Sequence, residues 1–249
     1  MRASTIKLKK IIYILFWIIL WQIIAVGLNR EVYLPTPINT IKALFNIVQT
    51  KGFFMSIFYT LLRVFTGFLI SFILGIIIGL FSSFNRHIYD LLNPLVISIK
   101  STPVISIIII FLSWFKSGIV PIIITFLMCF PIIWTNVVEG VKSTDKSLVD
   151  MAKVYKVSKY NILKHIYLPS ILPYIVSGSL TTLGLGWKVA VAAEVLSQPN
   201  YSIGAHLYDS KIYLETESLF AWTLVVIILS FIFEYFFKYI IKLKMKGRI

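Results

Sequence analysis

Long apolar runs separated by short polar segments make up most of this chain of 249 residues. A helix of about 20 apolar residues is long enough to cross the hydrocarbon core of a bilayer. Six runs approach or exceed that length, and they cover residues 11–28, 60–81, 91–114, 119–138, 169–196 and 219–241. The pattern therefore predicts an all-α, polytopic membrane protein with six transmembrane helices.

The polar segment between the first two runs carries a second helical pattern. Apolar side chains recur at spacings of three and four over residues 38–48, directly after a proline-rich breaker at residues 34–37. This pattern predicts a short amphipathic helix on the outer face of the membrane. We therefore divide the chain into residues 1–55, with the first transmembrane helix and this segment, and residues 56–249, a core domain with five transmembrane helices.

The first run could also be the apolar core of a cleaved signal peptide. Ala25-Val26-Gly27 loosely matches the small-x-small sequence at which signal peptides are cut. However, the run is about 18 residues long and contains Trp17 and Trp21, which is nearer to a spanning helix than to a signal core. We expect the first helix to be retained.

The net charge of +14 at pH 7 would suggest nucleic-acid binding in a soluble chain. Here the Lys and Arg side chains lie in tails and loops beside apolar runs, so no nucleic-acid partner is predicted. With an inner amino terminus, the inner segments hold sixteen of the 24 Lys and Arg side chains and the outer segments hold five. Cytoplasmic loops are enriched in positive charge, so both termini and the loop at residues 139–168 are predicted to be cytoplasmic.

Few side chains could bind a metal or form a disulfide. Cys129 is the single cysteine, and His87, His165 and His206 are too scattered for metal-ligand spacing, which favours titrating or solvated histidines. The sequence has no Gly-Lys dipeptide and hence no phosphate-binding P-loop, so the chain should not hydrolyse ATP by itself. No cofactor and no enzyme activity are predicted.

Residues 150–173 form a basic, amphipathic island between two apolar runs. Lys side chains and apolar side chains each recur at helical spacing, and Pro169 and Pro173 mark the entry to the next helix. Taken by itself, such a segment is most simply a solvated loop whose helix lies on the membrane surface. The order of particular residues indicates a more specific role.

That order is an acid, two residues, a turn position and an Ile-x-Leu-Pro sequence, formed here by Asp150, Met151, Ala152, Lys156, Ile166, Leu168 and Pro169. It resembles the EAA loop of ABC-importer permeases, in which short coupling helices dock into a groove on the ATPase subunit. The resemblance implies that these residues couple the chain to an ATPase. Asp150, Met151 and Lys156 stand where the family has Glu, Ala and Gly, so the turn lacks the residue that most readily adopts positive φ.

Further pieces that match this family lie along residues 34–239. They are Leu34-Pro35-Thr36-Pro37, Thr60-Leu61-Leu62-Arg63-Val64 leading to Gly67, Pro94-Leu95, Pro103, Leu112-Ser113-Trp114-Phe115, Gly186-Trp187 and Ala192-Ala193-Glu194. Their shared order resembles permeases of the nitrate, sulfonate, taurine and bicarbonate importers. The resemblance implies a six-span, MetI-like type I permease that pairs with a second copy and binds two ATPase subunits. It also implies an extracytoplasmic binding protein that delivers a small polar or anionic solute.

The fifth run differs from the others because polar and flexible positions are concentrated in it. Those singled out are Thr181, Thr182, Gly184, Gly186, Lys188 and Glu194. A lipid-facing helix would not tolerate these charges, so we predict that this helix lines the translocation path and bends at its glycines.

The two charges of the fifth run need separate explanations. Six residues turn a straight helix through about 600°, so Lys188 and Glu194 are not expected to pair with each other. Lys188 stands where the family has an apolar residue after Gly-Trp, and it could attract a small anion. Either charge could instead be satisfied structurally, by another span or at the outer interface.

Other intramembrane residues also predict contacts. Gly75-x-x-x-Gly79 is typical of a small-residue helix interface. Arg63, near the outer end of its run, can snorkel or pair. Lys100 lies between Pro94 and Pro103, where a cation indicates either a functional site or a structural partner.

Two other classes of protein remain open beside an ABC permease. An ATP-independent carrier or channel would commonly show internal repeats of hydropathy, and no convincing repeat relates the two halves of this chain. A membrane scaffold subunit would not need Lys188 and Glu194 in a glycine-containing helix.

Overall fold

A computed structural model describes residues 2–245 of the chain, and it describes the side chains of residues 12–241. All regular structure in this part is helical, which confirms the predicted all-α class. The α-helices are α1 (Arg2–Leu28), α2 (Pro37–Val48), α3 (Phe53–Phe84), α4 (Arg86–Ser101), α5 (Val104–Trp114), α6 (Val120–Lys142), α7 (Lys146–Val154), α8 (Lys159–Ile162), α9 (Leu168–Ser197), α10 (Ile203–Ile212) and α11 (Thr216–Met245). A π-helical turn at Leu163–Tyr167 joins α8 to α9.

Four of these helices, α3, α6, α9 and α11, are long and apolar enough to cross a membrane, and the bent pair α4 and α5 makes a fifth candidate. In α1 the described apolar part is the shorter helix Ile12–Leu28. The predicted count of six transmembrane helices is therefore neither confirmed nor contradicted. The basic side chains counted near the two ends, at residues 2–10 and 242–248, lie outside the described side chains.

The centre of the bundle is α6, which packs against both α3 and α9. Small residues let α3 approach α6 closely. A Cβ atom added at Gly75 would lie 2.7 Å from Ile133 Cγ2, and one added at Gly79 would lie 2.9 Å from the side chain of Val137. The Gly75-x-x-x-Gly79 interface predicted from the sequence thus lies between two helices of the same chain.

The third apolar run is bent by 102° between α4 and α5. Thr102 is extended, with φ −79° and ψ 131°, because a residue before proline avoids the helical region. Pro103 then opens α5, whereas Pro94 lies inside α4 without interrupting it. The bend lets α5 pack against α6 and α9, with Ile108 fully buried in that contact.

The bundle has two distinct ends. We call the end that carries α7 and α8 the loop end, and the opposite end the far end. At the far end, α2, α10 and the first turns of α3 and α11 share one apolar cluster, formed by Ala43, Ile47, Phe53, Ile203, Ala221, Trp222 and Val225. Helix α2 matches the predicted amphipathic helix, while α10 lies in a segment for which the sequence predicted no helix.

His206 on α10 is part of this far-end packing. Its ring stacks on Trp222 at 4.5 Å between ring centroids, and its Nε2 lies 2.9 Å from Ser56 Oγ. Burial lowers the pKa of His206, and the Asp209 carboxylate opposes that effect. Of the two alternatives predicted for this histidine, titrating or merely solvated, the solvated one is wrong, because the ring is half-buried against Trp222.

Candidate functional site

A buried ion pair joins α3 to α9 near the far end. Arg63 Nη1 donates to Glu194 Oε1 at 2.9 Å, and the two side chains are only 8% and 0% exposed. The other carboxylate oxygen of Glu194 accepts from Thr60 Oγ1 at 2.9 Å and from the backbone N–H of Gly204 at 3.2 Å. Both carboxylate oxygens therefore have donors, as a buried charge requires.

The same arginine holds the connection between α9 and α10. It donates to the carbonyl oxygens of Asn200 and Tyr201 at 3.1 and 3.2 Å. Glu194, predicted to face the translocation path, is thus enclosed between α3, α9 and α10. Glu194 is satisfied by another span, which is the structural alternative considered for it. Arg63 forms an ion pair, which is one of the two possibilities predicted for it.

One face of α9 is exposed, and small or polar side chains line it. Ser177, Thr181, Lys188 and Ala192 are exposed there, and Gly184 is half-buried between them. Their spacings of three, four and seven place them in one stripe along the helix. The ion pairs among the described side chains do not include Lys188. Three of the residues predicted to line the path, Thr181, Gly184 and Lys188, lie in this stripe.

The other predicted path residues lie behind this stripe. Thr182 is fully buried, and its Oγ1 donates to the carbonyl oxygens of Gly178 and Ser179. Gly186 allows close packing on α6, since an added Cβ atom would lie 2.9 Å from Cys129 Sγ. Helix α9 continues without a break past Gly184 and Gly186, the two glycines at which a bend was predicted.

Short capped helices form the loop between α6 and α9. The Asp145 side chain accepts from the backbone N–H of Ser147 at 2.8 Å at the start of α7, and Ser158 accepts from Asn161 at 3.4 Å at the start of α8. These are N-caps, which satisfy donors that a helix leaves free at its first turn. The amphipathic helix predicted for this region is therefore two helices with a turn between them.

Lys156 makes that turn in the left-handed conformation, with φ 55°. The backbone N–H groups of Lys156 and Val157 donate to the carbonyl oxygens of Lys153 and Ala152, each at 2.9 Å. This is a Schellman C-cap, in which the left-handed position is usually Gly. The turn that the sequence places at Lys156 forms with lysine there, at the energetic cost that a Cβ atom imposes in this conformation.

The loop folds around a small apolar core of its own. Val149, Ala152 and Ile162 are buried in it, and Ile166 packs against them. Met151 points away and is exposed, as are Leu168 and Pro169 at the start of α9, so the predicted coupling residues divide between core and surface.

Asp150 lies on the surface of α7 and bonds to Lys153 Nζ at 2.9 Å. That hydrogen bond raises the pKa of Lys153. Both side chains are well exposed, so the pair contributes little to stability and leaves the carboxylate accessible.

This chain belongs to a known family of membrane proteins. Residues 71–245, well over half of the chain, match the family described as the binding-protein-dependent transport system inner membrane component. The chain is accordingly a MetI-type permease subunit of an ABC importer. Members of the family work with an ATPase and a substrate-binding protein. This confirms the resemblance and decides against the carrier and scaffold alternatives.

Similar proteins include permeases for several solutes. The taurine transport system permease protein TauC of Escherichia coli is 24% identical over 220 residues, which are 86% of this chain and 80% of TauC. The nitrate import permease protein NrtB of Synechocystis is 27% identical over 206 residues, or 78% and 73% of the two chains. The bicarbonate transport system permease protein CmpB of Synechococcus elongatus is 30% identical over 161 residues, or 64% and 58%.

The fold is also similar to that of a solved transporter. A chain of the MetNI methionine ABC transporter, in an inward-facing conformation, superimposes with a TM-score of 0.64 over 75% of this chain and 93% of that one. The sequences are 15% identical, so this similarity concerns the fold alone.

Breaking the buried ion pair from one side should destabilise the chain. Arg63→Met leaves Glu194 as an unpaired buried charge, and Glu194→Met leaves Arg63 in the same state. Each variant should therefore lose about 3–5 kcal/mol of unfolding free energy. The double variant buries no charge and should lose clearly less than the two losses added together. A double-mutant cycle of thermal unfolding in detergent measures this, and additive losses would contradict it.

Replacing Lys156, whose backbone is in the left-handed conformation, with glycine should stabilise the loop. Lys156→Gly removes the Cβ clash of the left-handed conformation, worth about 1 kcal/mol, and should slow hydrogen exchange of the α7 amides. Lys153→Gly, three residues earlier in the helical part of α7, should destabilise the helix by about 1 kcal/mol and speed the same exchange. Changes in the same direction would show that the turn at Lys156 is not strained.

Proposed function

We propose that two copies of this chain form the translocation path of an ABC importer, and that the α7–α8 loop couples each copy to an ATPase subunit. The observation that carries the proposal is the uncovered surface of this loop. The loop has its own core, yet Leu148, Met151, Val154 and Tyr155 stay exposed outside the spanning helices, and Tyr160 is exposed on α8. Such an apolar patch is typical of an interaction site, and a groove on the ATPase would cover it.

The coupling residues have different roles in this proposal. Asp150 and Met151 contact the ATPase directly, with the Asp150 carboxylate accepting charge-assisted hydrogen bonds. Ala152 and Ile166 support the contacting surface from the loop core. Lys156 sets the direction of the chain between α7 and α8.

Movement of the loop passes to the path through α9. Leu168 and Pro169 begin α9 directly after the π-helical turn, and the helical chain is continuous over Lys159–Ser197. A continuous helix transmits displacement along its axis, so a shift of α8 moves the exposed stripe of α9. The ATPase thereby acts on the path without contacting it.

The path runs along the exposed stripe of α9, at the interface with a second copy of the chain. Polar and charged side chains are costly when they face lipid, so a stripe that holds Thr181 and Lys188 faces water or protein. Gly184 keeps the path open between them. Thr182, Gly186 and Glu194 brace the helix from behind.

The substrate is a small solute with an anionic group, delivered by an extracytoplasmic binding protein. The relatives TauC, NrtB and CmpB are named for the transport of taurine, nitrate and bicarbonate, and each of these carries a negatively charged group. Lys188 supplies a cation on the path that attracts such a group.

Both termini and the loop end face the cytoplasm in this proposal. The support is the excess of Lys and Arg in those segments together with the direction of the helices. Trp21, late in α1, packs against Phe220, early in α11, at 6.0 Å between ring centroids, so α1 arrives at the far end and α11 leaves it. Residues 1–55 then form a peripheral unit beside the permease core of residues 56–249.

Docking of the ATPase can be tested with two matched tyrosines. Tyr155 and Tyr213 are 77% and 74% exposed, and they end α7 and α10 respectively. Tyr155→Glu should greatly reduce co-purification of the ATPase, because it puts a charge where docking would bury an aromatic side chain. The permease should remain inserted in the membrane. Tyr213→Glu puts the same charge at the same kind of helix end and should leave co-purification intact. Equal retention in both variants would reject the loop as the docking site.

Two neighbouring threonines test the path along α9. In a Cys129→Ala background, Thr181→Cys should react quickly with a water-soluble maleimide, and Thr182→Cys should react many times more slowly because its side chain is enclosed. Reaction at Thr181→Cys should change when ATP binds the partner ATPase. Protection of Thr181→Cys in every nucleotide state would place the path elsewhere.

A further inference from the structure

A polar surface beneath the bend between α4 and α5 is explained neither by packing nor by the far-end ion pair. Lys100 lies in the last turn of α4, and its Nζ donates to Thr135 Oγ1 of α6 at 2.8 Å. Thr135 precedes the end of α6 at Lys142 by seven residues, or roughly 10 Å along the helix. Lys100 therefore contacts α6 at some depth from the end of that helix.

The exposed stripe of α9 continues onto the same surface. Gly178 of α9 packs on Asn136 of α6, because an added Cβ atom would lie 2.9 Å from Asn136 Cγ. Leu185 packs against the apolar cluster shared by α5, α6 and α9, and Thr181 lies one turn closer to the loop end on the same face of α9. Thr135 and Ser177 are the chain neighbours of Asn136 and Gly178, so Lys100, Thr135, Ser177 and Thr181 lie at similar depth in the bundle, and Lys100, Ser177 and Thr181 are exposed there.

Two cations at the exposed side of these helices have no carboxylate as an ion-pair partner among the described side chains. Arg63 has Glu194, whereas the ion pairs among the described side chains include neither Lys100 nor Lys188. A cation within a membrane needs water or a counter-charge. Gly178 of α9 lies at about the depth of Lys100, and Lys188 is ten residues beyond Gly178 on the same helix. The two cations, Lys100 and Lys188, therefore lie at depths that differ by roughly 15 Å.

We propose that Lys100 is a second anion-binding position, which the substrate reaches after it passes Lys188 on its way to the loop end. This inference rests on the proposed path along α9. The free carbonyl groups at the end of α4 favour a cation at Lys100, and Thr135 Oγ1 orients its Nζ. Two cationic positions at different depths let an anion leave one for the other, which is how multi-site pores conduct ions.

Thiol reagents of opposite charge test this position without knowledge of the substrate. The full-length Cys129→Ala, Thr181→Cys chain is studied with its ATPase in lipid nanodiscs, where both faces are accessible. Its rates of reaction with anionic sulfonatoethyl and cationic trimethylammonioethyl methanethiosulfonate are compared. Lys100→Met should lower the ratio of anionic to cationic rates about tenfold, since one nearby charge changes each rate about threefold in opposite directions.

Three variants separate the charge from other effects. Lys100→Gln keeps a donor for Thr135 without the charge and should show the same fall, whereas Lys100→Arg keeps the charge and should keep the ratio. Lys116→Met removes an exposed lysine from the connection between α5 and α6 and should leave the ratio unchanged.

The possible results distinguish this inference from the proposed path. A ratio unaffected by Lys100→Met and Lys100→Gln would overturn the second anion position and leave the α9 path standing. An equal fall in Lys116→Met would also overturn it, because a general surface potential would then account for the effect. If Thr181→Cys reacts with neither reagent, the α9 path itself fails and the Lys100 position fails with it.

Discussion

A charged side chain inside a membrane must be met by protein or by water, and this constraint sorts the intramembrane charges of the permease. Arg63 and Glu194 satisfy each other, and the backbone and hydroxyl groups around them complete their hydrogen bonds. The pair can therefore be enclosed, and it holds α3, α9 and the start of α10 together. Lys100 and Lys188 have no carboxylate partner among the described side chains, and we propose that they meet a solute instead.

Close helix contacts give this arrangement its rigidity. Gly75 and Gly79 bring α3 against α6, and Gly186 brings α9 against α6. Because any larger residue at these positions would meet atoms of α6, the three helices form one packed unit. In the proposed coupling, this unit as a whole carries a displacement of the loop end.

The loop combines internal order with an uncovered surface. Ala152 is enclosed by the loop core, while Tyr155 at the end of the same short helix is exposed. A core of this kind keeps the exposed side chains in fixed relative positions before a partner binds, which lowers the ordering cost of association. The direct continuation of α8 into α9 then places the start of the proposed path one helix away from the docking surface.

The sequence by itself determined the helical class, the position of the loop between α6 and α9, the turn at Lys156 and the family. Hydropathy, helical spacing and local motifs depend on residues that are near one another along the chain. Only the tertiary structure decided that Glu194 pairs with Arg63, 131 positions earlier, and that Thr181 is exposed while Thr182 is enclosed. Spacing shows which side chains share a face of a helix, but packing against distant segments decides which face remains open.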